Sequence, residues 1–333
     1  MARVTLKKLA KTGKIDRFVV EKAADLIAAY HLNCTVSPGS IHEPTNQDQI
    51  LPSFIEERRN VGCFRICHGG LSLKNIEYEL ASPGLPKIVN AAHEDVIKDT
   101  ICDLSDVLGE LQMFGLKAEA NILFNRYFDV TGGVANEPAT LTALQYHMGL
   151  TLNQTSVAPM MVAVGGLSGG GKSRMSRELA PLFHNAPGAR VVRTDVVRKR
   201  MMGVDLSDRL GSHGYTQEND RQTYARFYNE LSKSLKQGHP VIADAVFANQ
   251  GQREAVEEIA QILNVPFFGL WVDAPADVRA NRVEKRKNNV SDVTSDVIQR
   301  QLEYDLGAIN WHKVDSSGLK DETIKTGRTI VGL

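Results

Sequence analysis

Apolar residues return at two different periods along the chain, and the change of period divides it. In the first half they recur at helical spacing: Val19, Val20, Ala23, Ala24, Ile27 and Ala28 share one face, and Leu104, Leu108 and Leu111 share another. These patterns predict two helices and, with a third over Ile122 to Phe128, a mostly helical region. From about Pro159 onward, short apolar runs alternate with helical patterns, as a parallel α/β sheet requires. Met160 to Val164 predicts a buried strand, followed by a helix in which Met175, Leu179, Leu182 and Phe183 recur. Val191-Val192, Pro240 to Asp244 and Phe267 to Val272 predict three further strands. Between them, Gln217 to Gln237 reads as a long helix with Thr216 as N-cap, an apolar face of Tyr224, Tyr228, Leu231 and Leu235, and Gly238 as its stop. Ala255, Val256, Ile259, Ala260 and Leu263 mark another. Thr131 to Pro138 reads as a loop and Leu150 to Pro159 as a linker, so two domains are expected, over 1–152 and 158–333.

Composition supports two ordinary cores: 333 residues with 42% hydrophobic content. Net charge is zero, so the chain has no global field to hold nucleic acid or an anionic membrane. No stretch approaches the roughly 20 apolar residues needed to span a bilayer, and Met1 to Lys8 lacks a secretory apolar region. A cytoplasmic address is expected. Cys34, Cys63, Cys67 and Cys102 all fall in the first third without a C-x-x-C pair, which points to reduced thiols rather than a zinc site, although Cys63, Cys67 and His68 lie close in sequence.

The predicted strand at Met160 to Val164 runs into G-G-L-S-G-G-G-K-S. Gly166, Gly171, Lys172 and Ser173 fit the phosphate-binding pattern G-x-x-x-x-G-K-[ST], and the strand and helix on either side supply the context that pattern needs. Glycines let backbone N–H groups close around phosphates at a helix N-terminus, whose dipole also favours negative charge. Gly166, Ser168, Gly169, Gly170, Gly171, Lys172, Ser173 and Arg174 are therefore the expected nucleotide-binding residues. Lys172 would reach the β- and γ-phosphates of ATP, and the Ser173 hydroxyl would ligate Mg²⁺. The plain alternative is a glycine-rich turn that binds nothing.

Charged residues at the neighbouring strand ends favour a kinase over a motor. Arg193-Thr194-Asp195-Val196-Val197-Arg198 follows the second predicted strand, at the sheet edge where ligands bind. A carboxylate at Asp195 can accept the proton of a substrate hydroxyl, and Arg193 and Arg198 can hold an anionic acceptor; a helix cap is the other reading of Asp195. Asp244 ends V-I-A-D, the position of a Mg²⁺-holding carboxylate, or else it faces the acceptor; Ala245 follows it where many motors place a water-activating Glu. Arg279, Arg282 and Arg286 share one helix face and suggest a catalytic lid over the phosphates, or a solvated cationic face. Arg198-Lys199-Arg200 lacks interleaved aromatics, which weighs against a nucleic-acid patch.

Together these segments resemble the small P-loop kinases that phosphorylate hydroxyls of small molecules. The likeness is to the kinase half of bacterial proteins fused to an aminoglycoside-phosphotransferase-like domain. It runs from Val162 to about Gly318 and rests on the loop above, R-T-D-V-V-R-K, V-I-A-D-A-V-F, R-V-E-K-R with Ser291-Asp292-Val293, and I-N-W-H-K-V-D-S-S-G. It implies a nucleoside-kinase-like P-loop NTPase fold with a three-layer parallel sheet, ATP and Mg²⁺ on Lys172 and Ser173, Asp195 as catalytic carboxylate, and Arg282 and Arg286 in the lid. The first half resembles the carboxyl lobe of aminoglycoside phosphotransferases. Its catalytic loop usually reads H-G-D-x-x-x-x-N; here His68 to Asn75 places Gly70 at the Asp, and Asn90 stands where a metal-binding Asp is expected. The likeness implies a lobe without its ATP-binding partner lobe and without its chemistry, left to dock a substrate, partner or second subunit or to act as a scaffold.

The expected partner is a small hydroxyl-bearing substrate, with neither membrane nor nucleic acid, and a homo-oligomer stays open. Two other classes stay open as well: a regulatory nucleotide-binding module that needs no Asp195, and a nucleotide or polynucleotide 5′-kinase, for which Tyr215 and Phe247 would be the stacking candidates.

Overall fold

The computed structural model describes residues 3–36, 53–79, 86–90, 97–132, 137–152, 157–284, 301 and 303–333. Two compact units emerge, one of residues 1–157 with 185–187 and one of 158–184 with 188–333.

The first unit is built on helices α1 (Leu6–Lys11), α2 (Arg17–Asn33), α3 (Ser53–Asn60), α4 (Thr100–Met113), α5 (Lys117–Thr131) and α6 (Thr140–Leu152). Asp16 caps α2 by accepting the Val19 N–H at 2.9 Å, and of the apolar face read from sequence Val20, Ala23, Ala24, Ile27 and Ala28 are fully buried and Val19 partly. Two small antiparallel sheets, absent from the expectation of a mostly helical half, complete it. Strands β1 (Arg3–Thr5), β3 (Ile76–Glu79) and β4 (Lys87–Ile88) form one, and β2 (Phe64–Ile66) and β5 (Ile97–Asp99) the other. They escaped the period reading because each is only two to four residues long. The third expected helix exists but runs twice as far, from Lys117 to Thr131. Part of the expected linker is helical, since α6 extends to Leu152; residues 153–156, and 133–136 of the expected loop, lie outside the described residues.

The second unit is a five-stranded, wholly parallel sheet. Its strands are β6 (Met161–Gly165), β7 (Arg190–Arg193), β8 (Val241–Asp244), β9 (Phe267–Asp273) and β10 (His312–Asp315), in the order β10-β9-β6-β8-β7. Crossovers run through α7 (Lys172–Leu179), α8 (Thr194–Met201), α9 (Gln217–Lys236), α10 (Gln250–Ile262) and α11 (Ala276–Glu284), and α12 (Lys320–Val331) ends the chain. Strand alternation assigns the two faces. Met161 and Ala163 point into a core with Phe227, Leu231, Leu235, Val256 and Ala260 of α9 and α10. Val162 and Val164 point into the opposite core, with Met175, Leu179 and Val331 of α7 and α12. A central strand covered on both faces has to be apolar throughout, which is why β6 and β8 read as unbroken runs. This is a three-layer α/β fold built on a parallel five-stranded sheet.

The fifth strand, β10, was not predicted. His-Lys-Val-Asp offers one apolar residue, because an edge strand buries only Val314. Among the described residues no helix is long and apolar enough to cross a membrane.

Candidate active site

The carboxyl ends of β6, β7 and β8 open into one cleft, lined by Ser168, Gly169, Gly171, Lys172, Ser173, Arg193, Thr194, Asp195, Asp244, Ala245 and Val246. β6 sits between β8 and β9 at the centre of the sheet, so the loop it delivers lies where the strand order changes direction, the place ligands occupy in open α/β sheets.

The loop from Gly166 to Gly171 is held from behind. Gly166 has φ 137°, and a Cβ there would meet the Val272 carbonyl oxygen at 2.1 Å; Gly169 has φ 84°, and a Cβ would meet the Arg279 carbonyl oxygen at 2.6 Å. Only glycine passes at either position. The loop carbonyls turn outward. The Ser168 carbonyl accepts from Arg279 Nη1 and the Gly169 carbonyl from Arg282 Nη1, both at 3.5 Å, and the Gly170 carbonyl accepts the Ser316 hydroxyl at 2.6 Å. Among the described residues the N–H groups of Gly169, Gly171 and Ser173, which line the cleft, find no protein partner. Three unclaimed donors at the start of α7 make an anion cradle. Lys172 Nζ donates to the Leu167 carbonyl at 3.1 Å, folded over its own loop.

Asp195 reaches the cleft from the first turn of α8, whose N-cap residue is Arg193. It is therefore not the helix cap; its position at the second helical residue, after a strand aimed at the cleft, presents the carboxylate to the opening. Asp244, at the end of β8, is 4% exposed, and its Oδ2 has no hydrogen-bond partner among the described residues. Arg193 Nε lies 3.9 Å from that oxygen. Burial pushes the Asp244 carboxyl up from its ordinary range, and Arg193 and Lys172 work against that shift. A buried, orphaned carboxylate oxygen next to Ser173 fits a hard cation such as Mg²⁺, which typically takes one or two protein oxygens and completes its shell with phosphate and water.

Several expected site residues stand elsewhere. Arg198 is absent from the cleft lining: it is 6% exposed, donates to the Gly214 carbonyl at 2.9 Å, pairs with Asp220 at 2.6 Å and lies under the Tyr215 ring at 4.9 Å. It fastens α8 to the 212–220 segment, because it sits one turn beyond Asp195, away from the strand end. Arg282 braces the loop, with Nη1 donating to Ser316 Oγ at 3.1 Å and Nη2 to the Ser316 carbonyl. Arg279 is 3% exposed and donates to the Ala274 carbonyl at 3.1 Å, so the solvated-face reading fails for it as well. Arg286 lies outside the described residues. Gly170 and Arg174 do not line the cleft; the Gly170 N–H bonds Leu167 and the Arg174 N–H bonds Gly171. Phe247 is fully buried, which removes it as a stacking platform. Sequence reasoning missed Ser316 and Gln301, whose side chains grip the loop from more than 130 residues away. Ser316 lay within the quoted V-D-S-S-G run, but no spacing rule marks it.

Residues 161–305 match the family model described as AAA domain. An adenylyl-sulfate kinase of Myxococcus xanthus is 35% identical over 114 residues, 34% of this chain and 57% of its own length. Uncharacterized proteins of Mycobacterium tuberculosis and Mycobacterium bovis are 28% identical over 172 residues, 49% of this chain; the match spans a third of those relatives' length. Over these residues the second unit is similar to a kinase in sequence. Among solved structures, a gluconokinase from Sinorhizobium meliloti aligns at 20% identity over 52% of this chain and 91% of its own, with a TM-score of 0.37. The APS kinase of Mycobacterium tuberculosis in complex with AMPPNP and APS aligns at 16% over 53% and 99%, with a TM-score of 0.39.

In the first unit, Asp103 is fully buried and accepts the N–H groups of Gly70 at 3.0 Å, Leu71 at 3.2 Å and Gly69 at 3.3 Å. The segment expected to resemble a catalytic loop is thus pinned by a carboxylate one helix away. Asn75 accepts from Ser72 and donates to the Val89 carbonyl, and Asn90 has φ 52°. The four cysteines are free thiols. Among the described residues no three His, Cys, Asp or Glu side chains gather in a way that would hold a metal.

Proposed function

We propose that the second unit, over residues 158–333, is an ATP-dependent kinase that transfers the γ-phosphoryl group to a hydroxyl of a small molecule in the cytoplasm. The observation that carries this reading is the convergence of Lys172, Ser173, Asp195 and Asp244 on one cleft at the strand ends. A nucleotide-binding loop alone would need no second carboxylate in the first turn of α8.

The N–H groups of Gly169, Gly171 and Ser173 and the Lys172 ammonium bind and orient the phosphate chain. Ser173 and Asp244 would hold Mg²⁺, which would neutralise phosphate charge. Asp195 accepts the acceptor's hydroxyl proton on a carboxylate oxygen as the acceptor oxygen bonds phosphorus and the bond to the ADP oxygen breaks. Arg193, beside the cleft and 3.9 Å from Asp244, is the remaining cation for an anionic group on the acceptor, since Arg198 is occupied. Arg279 and Arg282 act on phosphate only through the loop they brace. The relatives' names are consistent with phosphotransfer to small molecules and leave the acceptor open.

The first unit serves as a scaffold or docking lobe without phosphotransfer of its own. Gly70 carries no side chain to take a proton, and its N–H is committed to Asp103.

The test is ADP release from ATP by the purified chain against pools of hydroxyl-bearing metabolites, with Lys172→Ala alongside. One pool is expected to stimulate release in the wild type and none in the variant. Tight ATP binding with no stimulation by any pool would favour a nucleotide-sensing module instead.

A further inference from the structure

Gln301 is helical and 5% exposed. Both polar atoms of its amide are spent on one residue of the phosphate loop. Oε1 accepts the Ser168 N–H at 2.8 Å, and Nε2 donates to Ser168 Oγ at 2.9 Å. With Arg279 on the Ser168 carbonyl, every polar atom of Ser168 is held by a side chain from outside the loop. Ser168 is itself 5% exposed, so each of these atoms would otherwise be buried without a partner.

What the pair controls is the direction of the next peptide units. Ser168 immediately precedes Gly169, whose φ of 84° shows how freely the backbone can turn there. Gly169 opens the stretch whose unclaimed N–H groups face the cleft. A rotation at Ser168 would carry the Gly169 N–H away from the cleft at little steric cost, because a glycine follows. Fixing the Ser168 N–H from behind selects the one orientation in which the donors converge.

We propose that Gln301 is a positioning residue that holds the phosphate loop in its nucleotide-competent conformation through the paired hydrogen bonds to Ser168. The inference rests on the kinase reading of the same cleft. When the competent conformation is only partly populated, apparent affinity falls by that fraction, while the chemistry of the bound complex is untouched.

The experiment is calorimetric titration of the full chain with ATP and Mg²⁺ for the wild type, Gln301→Met, Ser168→Ala and the double variant, with the melting temperature of each nucleotide-free protein. Methionine keeps the volume and removes the hydrogen bonds. The dissociation constant of Gln301→Met is expected to rise about tenfold, with the nucleotide-free melting temperature within about 2 °C of wild type. Ser168→Ala should lose less, because its N–H still bonds Gln301, and the double variant should lose less than the two losses combined. Wild-type affinity in Gln301→Met overturns the positioning role and leaves the kinase reading standing. A fall of several degrees in the nucleotide-free protein makes Gln301 a packing residue and overturns it also. Absence of ATP binding by the wild type overturns both.

Discussion

Asp244 shows how function and stability part at a single side chain. Its carboxyl titrates above the ordinary carboxylate range because it is buried, so the folded protein binds that proton more readily than the unfolded chain. Stability attributable to this group therefore falls as pH rises from about 4 through its raised value, and at neutral pH the buried charge is a cost. Asp244→Asn should raise the melting temperature of the nucleotide-free protein at pH 7 by roughly 2–4 °C. The same substitution should weaken magnesium-dependent ATP binding about tenfold or more, read by titration with and without Mg²⁺. Gly166 gives the opposite case. With a backbone carbonyl 2.1 Å from where a Cβ would stand, Gly166→Ala forces the loop off β9. Loss of ATP binding is expected there, together with a lower melting temperature. Both positions were legible in sequence, since a motif records residues whose chemistry or lack of side chain cannot be replaced locally. Arg198 was misread for the matching reason: sequence spacing places it near Asp195, but which way a helix turn faces is set by what packs against it, here Asp220 and Gly214.

Among the elements, α8 carries Asp195 at one end and needs an anchor at the other. Glu230 of α9 supplies it, accepting from Arg190 Nη2 of β7 at 2.8 Å and from Arg200 Nη2 of α8, with Arg190 and Glu230 almost wholly buried. Two guanidinium groups hold the carboxyl below its usual range against the pull of burial. Glu230→Ala would remove the buried carboxylate that both guanidinium groups share, and a loss of about 3–5 kcal/mol in urea unfolding is expected. The strands at the centre of the sheet were readable because burial on both faces demands continuous apolar runs. β10 was not, since an edge strand asks for only one buried residue, Val314. Gln301 was unreadable for a further reason. Its partner, Ser168, is brought to it by the fold from 133 residues away, and nothing local in either segment announces the pair.

Over the whole molecule, the change of period is legible because a parallel sheet and a set of packed helices leave different hydrophobic signatures. Charge balance at the scale of the chain said little about the site, where cations and carboxylates are locally arranged. Acid should act on the second unit through His239, fully buried, with Nε2 3.0 Å from the Gly188 carbonyl. Burial pushes its imidazole down to about 4, so the neutral ring contributes stability that is complete above the unfolded value near 6.5 and is lost as pH falls from there toward 4. Roughly 3 kcal/mol is at stake over that interval. His239→Gln should flatten the pH dependence of the unfolding free energy, read by urea titration between pH 7 and 4.5, by about that amount. The central claim, that Asp195 turns a nucleotide-binding cleft into a phosphotransfer site, is tested most directly by acceptor-stimulated ADP release in Asp195→Asn at matched ATP saturation. A fall of about a hundredfold or more with ATP affinity unchanged is the expected result. Turnover equal to wild type would contradict it and return the second unit to a nucleotide-binding module without phosphotransfer.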